Sequence, residues 1–274
     1  MSIKEFIIPK VKRDYIISLL EKGERIDGRK LDEYRGLEIK VGVIDNADGS
    51  AQVKLGDTFI VVGIKSSIGD PYPDEPNKGV FIVNAEFPPV ASPTFEPGPP
   101  DENAIELARV VDRGIRESNF IDLEKLVIVP GSKVRLIWID IYVLNHDGNL
   151  IDASSYAAVA ALLNTRLRKI VVGEDGRIEE LEEREPLPLR GIPIHITHAK
   201  VNNKIIVDPM FDEEAIMDAR LTMAVTEDGM ICAVQKGGVG SFTVDEVKTI
   251  MENALKLAPI IRGRILEAVK GGQV

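Results

Sequence analysis

The chain of 274 residues is long enough for one large domain or two small ones, and its 44% hydrophobic and 28% charged residues are the mix of a globular protein. It holds no run of about 18 apolar residues, and Met1-Ser2-Ile3-Lys4-Glu5-Phe6 lacks an apolar signal core, so a cytoplasmic protein without a membrane span is expected. A net charge of −10 argues against nucleic-acid binding by the whole surface but leaves room for a local basic site, and one cysteine, Cys232, excludes an internal disulfide.

In chain order, Val11, Tyr15, Ile16 and Leu19 give a helical stripe over Pro9 to Leu20, ended by Gly23. Leu37 to Val43 alternates as a strand. Ala51 to Leu55 and Thr58 to Ile64 are strands joined by the hairpin signal Gly56-Asp57. After a proline-containing loop, Val80 to Phe87 is a strand, and Pro88 to Pro100 is a loop too proline-rich to continue it.

Asp101 is then a good N-cap for a helix reaching Arg116, with Glu102 and Glu106 near the positive end of its dipole. At 100° per residue Ala104, Ala108, Val111 and Ile115 share one face, which predicts a core face. Arg109, Arg113 and Arg116 form a stripe beside it. They can pair with Glu106, Asp112 and Glu117 on the same helix, or hold phosphates through their fixed donor forks.

Leu126 to Pro130 is extended and Lys133 to Leu144 is a long strand. A turn at Asn145–Asn149 leads to an alanine-rich helix from Asp152 to about Leu167. Gly173 to Arg190, with seven acidic residues, is expected to be a connector. Strands at Ile192–Val201 and Lys204–Val207, a hairpin of Leu221–Thr226 and Met230–Gln235, and a helix capped by Thr243 and running to about Val269 complete the chain. His195 and His198 would point to opposite faces of their strand, and three histidines with one cysteine are too few for a zinc site. Gly237-Gly238-Val239-Gly240 lacks the lysine of a phosphate loop and reads as a plain turn. Strands precede helix in each half, so an α+β fold with internal duplication is expected, not a doubly wound parallel sheet.

Several of these stretches carry a resemblance. Gly23-Glu24-Arg25-Ile26-Asp27-Gly28-Arg29 with Tyr34-Arg35 resembles the opening signature of the RNase PH family of 3′-exoribonucleases. Ala47-Asp48-Gly49-Ser50-Ala51 and Lys54-Leu55-Gly56-Asp57-Thr58 look like its next hairpin. The run from Phe95 to Arg113, with Val207-Asp208-Pro209 and Asp212-Glu213-Glu214, is similar to the non-catalytic RNase PH-like subunits of the archaeal exosome. The resemblance implies an RNase PH-like fold (ribosomal S5 domain 2-like). Residues 1–30 would form an N-terminal helix and interface arm, 31–190 the first half and 191–274 the second. It also implies an alternating hexamer with three copies of a catalytic partner, capped by S1/KH or zinc-ribbon subunits. In such a ring single-stranded RNA is shortened from its 3′ end with phosphate as the nucleophile.

Active members of the family hold that phosphate in a Gly-Gly-Ser/Thr-Arg turn at a helix start. At the matching place this chain has Gly148, Asn149, Leu150, Ile151 and Asp152: the hydroxyl and the arginine are gone, and Asp152 is expected to cap the helix and repel phosphate. No catalytic residue is therefore expected here, and no cofactor; inorganic phosphate is expected in the partner's site. Asp208, Glu214 and Asp218 lie near the family's acidic positions. They could hold magnesium, but a solvated acidic loop is expected and no metal. In the resembling subunits the helix after the proline-rich loop supplies basic residues to the RNA path, which implies RNA-binding roles for Arg109, Arg113 and Arg116. Arg25 and Arg29 are expected to be structural, pairing with Asp27 or Glu24. The competing readings are an active phosphorolytic enzyme and a binding protein outside RNA decay that shares the fold.

Overall fold

The computed structural model describes residues 8–173 and 175–271. Helix α1 (Lys10–Glu21) leads to strands β1 (Leu37–Val41), β2 (Gly49–Leu55), β3 (Thr58–Gly69) and β4 (Val80–Glu86). Helix α2 (Glu102–Glu117), a 3-10 turn at Leu123–Leu126, β5 (Val127–Val129) and β6 (Lys133–Asn145) follow, then α3 (Leu150–Leu163). The hairpin β7 (Arg166–Val172) and β8 (Ile178–Pro186) precedes β9 (Ile194–Val201), β10 (Lys204–Val207), the short α4 (Phe211–Glu214), β11 (Ala219–Val225), β12 (Ile231–Gly237) and α5 (Val244–Gly271).

The first sheet has the order β1-β2-β3-β6-β4, with β5 added to β6. Its pairs are antiparallel except β4 with β6, which run parallel. A parallel neighbour needs a crossover connection, and α2 lies within it. The expected plain succession of antiparallel strands and then helix is corrected there. The second sheet, β10-β9-β11-β12, is wholly antiparallel.

Between the sheets lies α3. Every residue of it but Leu163 is buried, and it packs on β2, β3 and β9. Alanines at 153, 157, 158, 160 and 161 allow both sheets to approach its backbone. A helix apolar all round has no amphipathic face to read, which is why its start falls two residues before the expected Asp152 and its end four before Leu167. His195 and His198 do project to opposite faces of β9: one contacts Ser155 on α3 and the other Asn253 on α5.

Local signals held at both long surface helices. Asp101 Oδ1 accepts from Asn103 N and Ala104 N, at 3.1 and 2.9 Å. The predicted face of Ala104, Ala108, Val111 and Ile115 is buried. At α5 the Thr243 hydroxyl accepts from Glu246 N, and the Glu246 carboxylate accepts from Thr243 N, a capping box. The expected connector at Gly173–Arg190 instead contains β8, paired with β7. Its glutamates are exposed, so no apolar alternation marked it as a strand. No helix among the described residues is long and apolar enough to cross a membrane.

Replacing Asp101 with Ala leaves two helix-start N–H groups without their acceptor. The expected loss is about 0.5–2 kcal/mol of stability, measured as a lower denaturation midpoint at constant m-value; an unchanged midpoint contradicts the cap.

Candidate nucleic-acid interface and the turn before the third helix

The arginine stripe of α2 divides. Arg109 and Arg113 line a cleft of about 570 Å³ between α2 and β12, with Ile105, Cys232, Val234 and Gln235. Arg109 is exposed and makes no ion pair among the described residues. Arg113 is 65% exposed and pairs with Glu117 at 2.8 Å. Such an exposed i, i+4 pair contributes only about 0.3–0.5 kcal/mol, so the guanidinium is readily released to an anion. Arg116 does not line this cleft. It pairs with Asp112 at 2.8 Å and lies 4.1 Å above the Phe81 ring on β4.

The turn before α3 is packed shut. Gly148 takes φ +86°, and a Cβ there would lie 2.5 Å from the backbone of Met210 and Phe211. Asn149, at φ +49°, occupies the N-cap position. Its backbone N–H, the donor that an anion at this helix start would take, donates instead to Glu214 Oε1 at 2.9 Å. The Asn149 amide donates to Asp152 Oδ2 at 2.9 Å and to Asp208 Oδ1 at 2.8 Å. Leu150 and Ile151 belong to the hydrophobic core.

Asp152 is not the expected cap. It is fully buried and accepts from Tyr34 Oη at 2.7 Å, Thr197 N at 3.0 Å and Thr197 Oγ1 at 2.7 Å. Burial pushes its carboxyl up to about 6; the bonds from Thr197, Asn149 and Tyr34 oppose that rise and the nearby Asp208 adds to it. The cap is Asn149 because the chain enters α3 through a left-handed residue, leaving Asp152 inside the first turn and aimed at β9.

The acidic loop is not solvated either. Asp208, Glu213 and Glu214 are buried: arginines from the N-terminal arm meet Asp208 and Glu213, and the Asn149 N–H meets Glu214. Arg35 donates to Asp208 from Nη2 at 2.7 Å and Nε at 3.0 Å, and Arg29 Nη1 donates to Asp208 at 3.1 Å. Burial raises the Asp208 carboxyl, but Arg35 and Arg29 outweigh it and hold the group below its ordinary value. Glu214 is pushed up by burial, tempered by Arg220 and the Asn149 N–H. Arg29 pairs with Asp27 as expected. Arg25 pairs with Glu213 rather than Glu24, and its Nη1 also donates to Val207 O. Asp218 stands apart, exposed, accepting from Asn202 N at 3.0 Å. Among the described residues no group of three or more His, Cys, Asp or Glu is placed to hold a metal ion.

The motif Arg25, Arg29 and Arg35 was visible in the sequence, but its partners Asp208 and Glu213 lie more than 170 residues away. The one available signal was the excess of charge in both segments, since charges that leave water must meet opposites.

The chain is similar to known proteins along most of its length. Domain 1 of the 3′ exoribonuclease family matches residues 33–168, and domain 2 matches residues 191–256. The exosome complex component Rrp42 of Thermococcus kodakarensis is 57% identical over 96% of this chain and 97% of its own length. That of Pyrococcus abyssi is 56% identical over 96% of this chain and 97% of its own. An Archaeoglobus fulgidus exosome chain, from a structure with RNA bound to the active site, superposes with a TM-score of 0.86 at 50% identity, covering 93% of this chain and 97% of that one. Rice Rrp46, at 17% identity over 89% of this chain and 100% of its own, shares the fold with a TM-score of 0.69. With matched domains in order along both halves, the chain belongs to the RNase PH family of 3′ exoribonucleases.

Proposed function

We propose that this chain is a non-catalytic subunit of an exosome ring for 3′-to-5′ RNA degradation, binding single-stranded RNA beside the active site of a catalytic RNase PH-like partner. The single observation that carries the non-catalytic part is the start of α3. There the Glu214 carboxylate takes the Asn149 N–H, while Asp208 and Asp152 converge on the Asn149 amide. A phosphate would have to displace a buried carboxylate and sit beside two more, with Leu150 and Ile151 where a hydroxyl and a guanidinium would be needed. Inorganic phosphate is therefore assigned to the partner's site, and no metal or cofactor to this one.

The RNA-binding part rests on Arg109 and Arg113, exposed on one cleft and one helical turn apart. That spacing suits successive phosphates of a strand without reading its bases. Arg116, engaged with Phe81 and Asp112, is left out of this reading. Relatives that are exosome components support a place in an exosome complex; the ring of three such subunits alternating with three catalytic ones, its S1/KH or zinc-ribbon caps and its work in the cytoplasm are part of the proposal.

Incubated alone with single-stranded RNA and phosphate, the purified chain is expected to release no nucleoside diphosphate. Phosphate-dependent turnover that survives removal of contaminating nuclease would establish the alternative, an active phosphorolytic enzyme.

In the assembled ring, Arg109→Ala or Arg113→Ala should weaken RNA binding on any sequence and flatten the salt dependence by about 0.7 per lost phosphate contact. Titrations at several salt concentrations decide it. A double variant with unchanged affinity and slope returns both arginines to ordinary surface pairing.

Asp152 supplies a pH test. Its folded-state value, about 6, lies above the ordinary 3.8. Its contribution to stability is therefore full below about pH 4 and is lost as pH rises through about 6. Across that window, denaturant midpoints of the wild type should fall relative to those of Asp152→Asn; parallel profiles would rule out a raised Asp152.

A further inference from the structure

Behind the two arginines, α2 is held to the second sheet by groups that the proposed function does not use. His195, on β9, is 2% exposed. Its Nε2 lies 3.2 Å from Val110 O, and its Nδ1 lies 2.6 Å from Ser155 Oγ on α3. A carbonyl only accepts, so Nε2 carries the proton and Nδ1 accepts from the Ser155 hydroxyl. Burial pushes the ring down to about 4, which keeps it neutral and preserves this donor–acceptor arrangement at physiological pH. The ring sits in a notch that only glycine leaves open. A Cβ on Gly114 would lie 2.0 Å from His195 Cε1 and 2.4 Å from Nε2. Glycine inside a helix costs about 1 kcal/mol relative to alanine, and the close approach of the ring accounts for it here.

A second tie lies two turns earlier. Arg220, on β11 and 1% exposed, donates from Nη2 to Glu106 Oε1 at 2.8 Å. Glu106, Val110 and Gly114 are spaced i, i+4, i+8 and form one row along α2. Arg109 and Arg113 lie three residues beyond the first two members of that row, so they ride on the adjacent row. Any movement of the tied row carries the arginines with it.

We propose that His195 is a positioning residue for RNA binding: seated in the Gly114 notch and held by Ser155 and Val110, it fixes α2 against the second sheet and so sets where Arg109 and Arg113 meet the strand. This rests on the RNA-binding reading of those arginines. The arrangement has a cost that binding recovers: two exposed guanidiniums on a pinned helix lose less freedom on meeting phosphates than the same groups on a mobile one.

The test uses two readouts. Labelling of Cys232 by 5,5′-dithiobis(2-nitrobenzoate), located by peptide mass, reports the seating of α2, because Cys232 Sγ lies 3.9 Å from Gly114 O in the cleft. Titration of labelled single-stranded RNA on the ring assembled with its RNase PH-like partner reports the arginines. Gly114→Ala drives a methyl into the ring, and it is expected to speed labelling and weaken RNA binding by about tenfold each. Gly114→Ala with His195→Ala removes the clash but also the ring that seats α2, so labelling and RNA binding are expected to stay short of wild type; full recovery of both would show that His195 is dispensable and overturns the proposal. Added to Arg109→Ala/Arg113→Ala, Gly114→Ala should cost much less than alone, because both act through the same contacts.

Unchanged labelling in Gly114→Ala overturns the proposal. So does faster labelling with unchanged RNA affinity while Arg109→Ala/Arg113→Ala still weakens binding; His195 is then a packing residue only. If the double arginine variant itself binds RNA as the wild type does, the RNA-binding reading has failed and the positioning role falls with it, while the labelling result still shows whether the notch seats α2. If Gly114→Ala yields no folded ring, Ser155→Ala, which removes one hydroxyl and adds no bulk, replaces it. Labelling about threefold faster and RNA binding about threefold weaker are expected there, and the proposal is overturned if either is unchanged.

Discussion

Three guanidiniums and four carboxylates leave water together at the start of α3, and the rest of the structure is arranged so that they meet. Arg25, Arg29 and Arg35 come from the arm before β1, Asp152 from α3, and Asp208, Glu213 and Glu214 from the segment joining β10 to β11. Burying an ion costs several kcal/mol, and the cost is offset only where geometry is good and the remaining lone pairs are satisfied. Here they are: Asp208 takes bonds from Arg29, Arg35 and Asn149, and Asp152 from Tyr34, Asn149 and Thr197. Removing one member would strand its partners in a dry interior, a loss of about 3–5 kcal/mol for a buried pair. The network therefore specifies how the arm and the two sheets sit on one another, which apolar packing around an alanine-rich helix would leave loosely defined.

The charges on α2 follow the opposite logic. Arg109 and Arg113 stay exposed, the first without an ion pair among the described residues and the second weakly paired, so they contribute little to folding and remain available. The same sequence stretch supplies both kinds of surface. Its inner face buries Ala104, Leu107, Val111 and Ile115, while Glu106, Val110 and Gly114 take the polar and steric ties to β11 and β9. A helix pinned on one side and charged on the other can present its charges at a fixed place, which a loop with the same arginines could not do.

Legibility in the sequence tracked the distance over which each feature is determined. The caps at Asp101 and Thr243, the apolar face of α2 and the hairpin at Gly56-Asp57 depend on residues within a few positions, and they stand as read. The hairpin of β7 and β8 was hidden because its glutamate-rich strand packs on no core. Arg116 was placed with Arg109 and Arg113 by spacing, yet the Phe81 ring of a neighbouring strand takes it. Asp152 reads as a helix cap and the run 212–214 as a solvated acidic loop, because acidic residues usually face water. The burial of Asp208 and Glu213 depends on arginines more than 170 residues away, and that of Asp152 and Glu214 on Tyr34, Thr197 and the Asn149 N–H; no periodicity reports such pairings. The residue types at 148–152 can be read directly from the sequence. What fills the turn cannot, since Glu214 reaches it from another element.

That filling carries a physical consequence for the proposed function. An open phosphate site must keep backbone donors and guanidiniums desolvated but unsatisfied, ready for an anion, and such preorganised groups are held at the expense of stability. In this chain Glu214 satisfies the Asn149 donor from within, and the tie joins α4 to α3 across the two halves. The change that would close the site to phosphate is thus the change that stiffens it. On this reading the subunit is freed from keeping a strained pocket, and the rigidity gained at the start of α3 backs the Ser155 and His195 contacts farther along the same helix. Those contacts end at Val110 and Gly114 on α2, so the start of α3 and the arginine-bearing helix belong to one continuous scaffold, firm at its packed turn and carrying Arg109 and Arg113 exposed on its outer side.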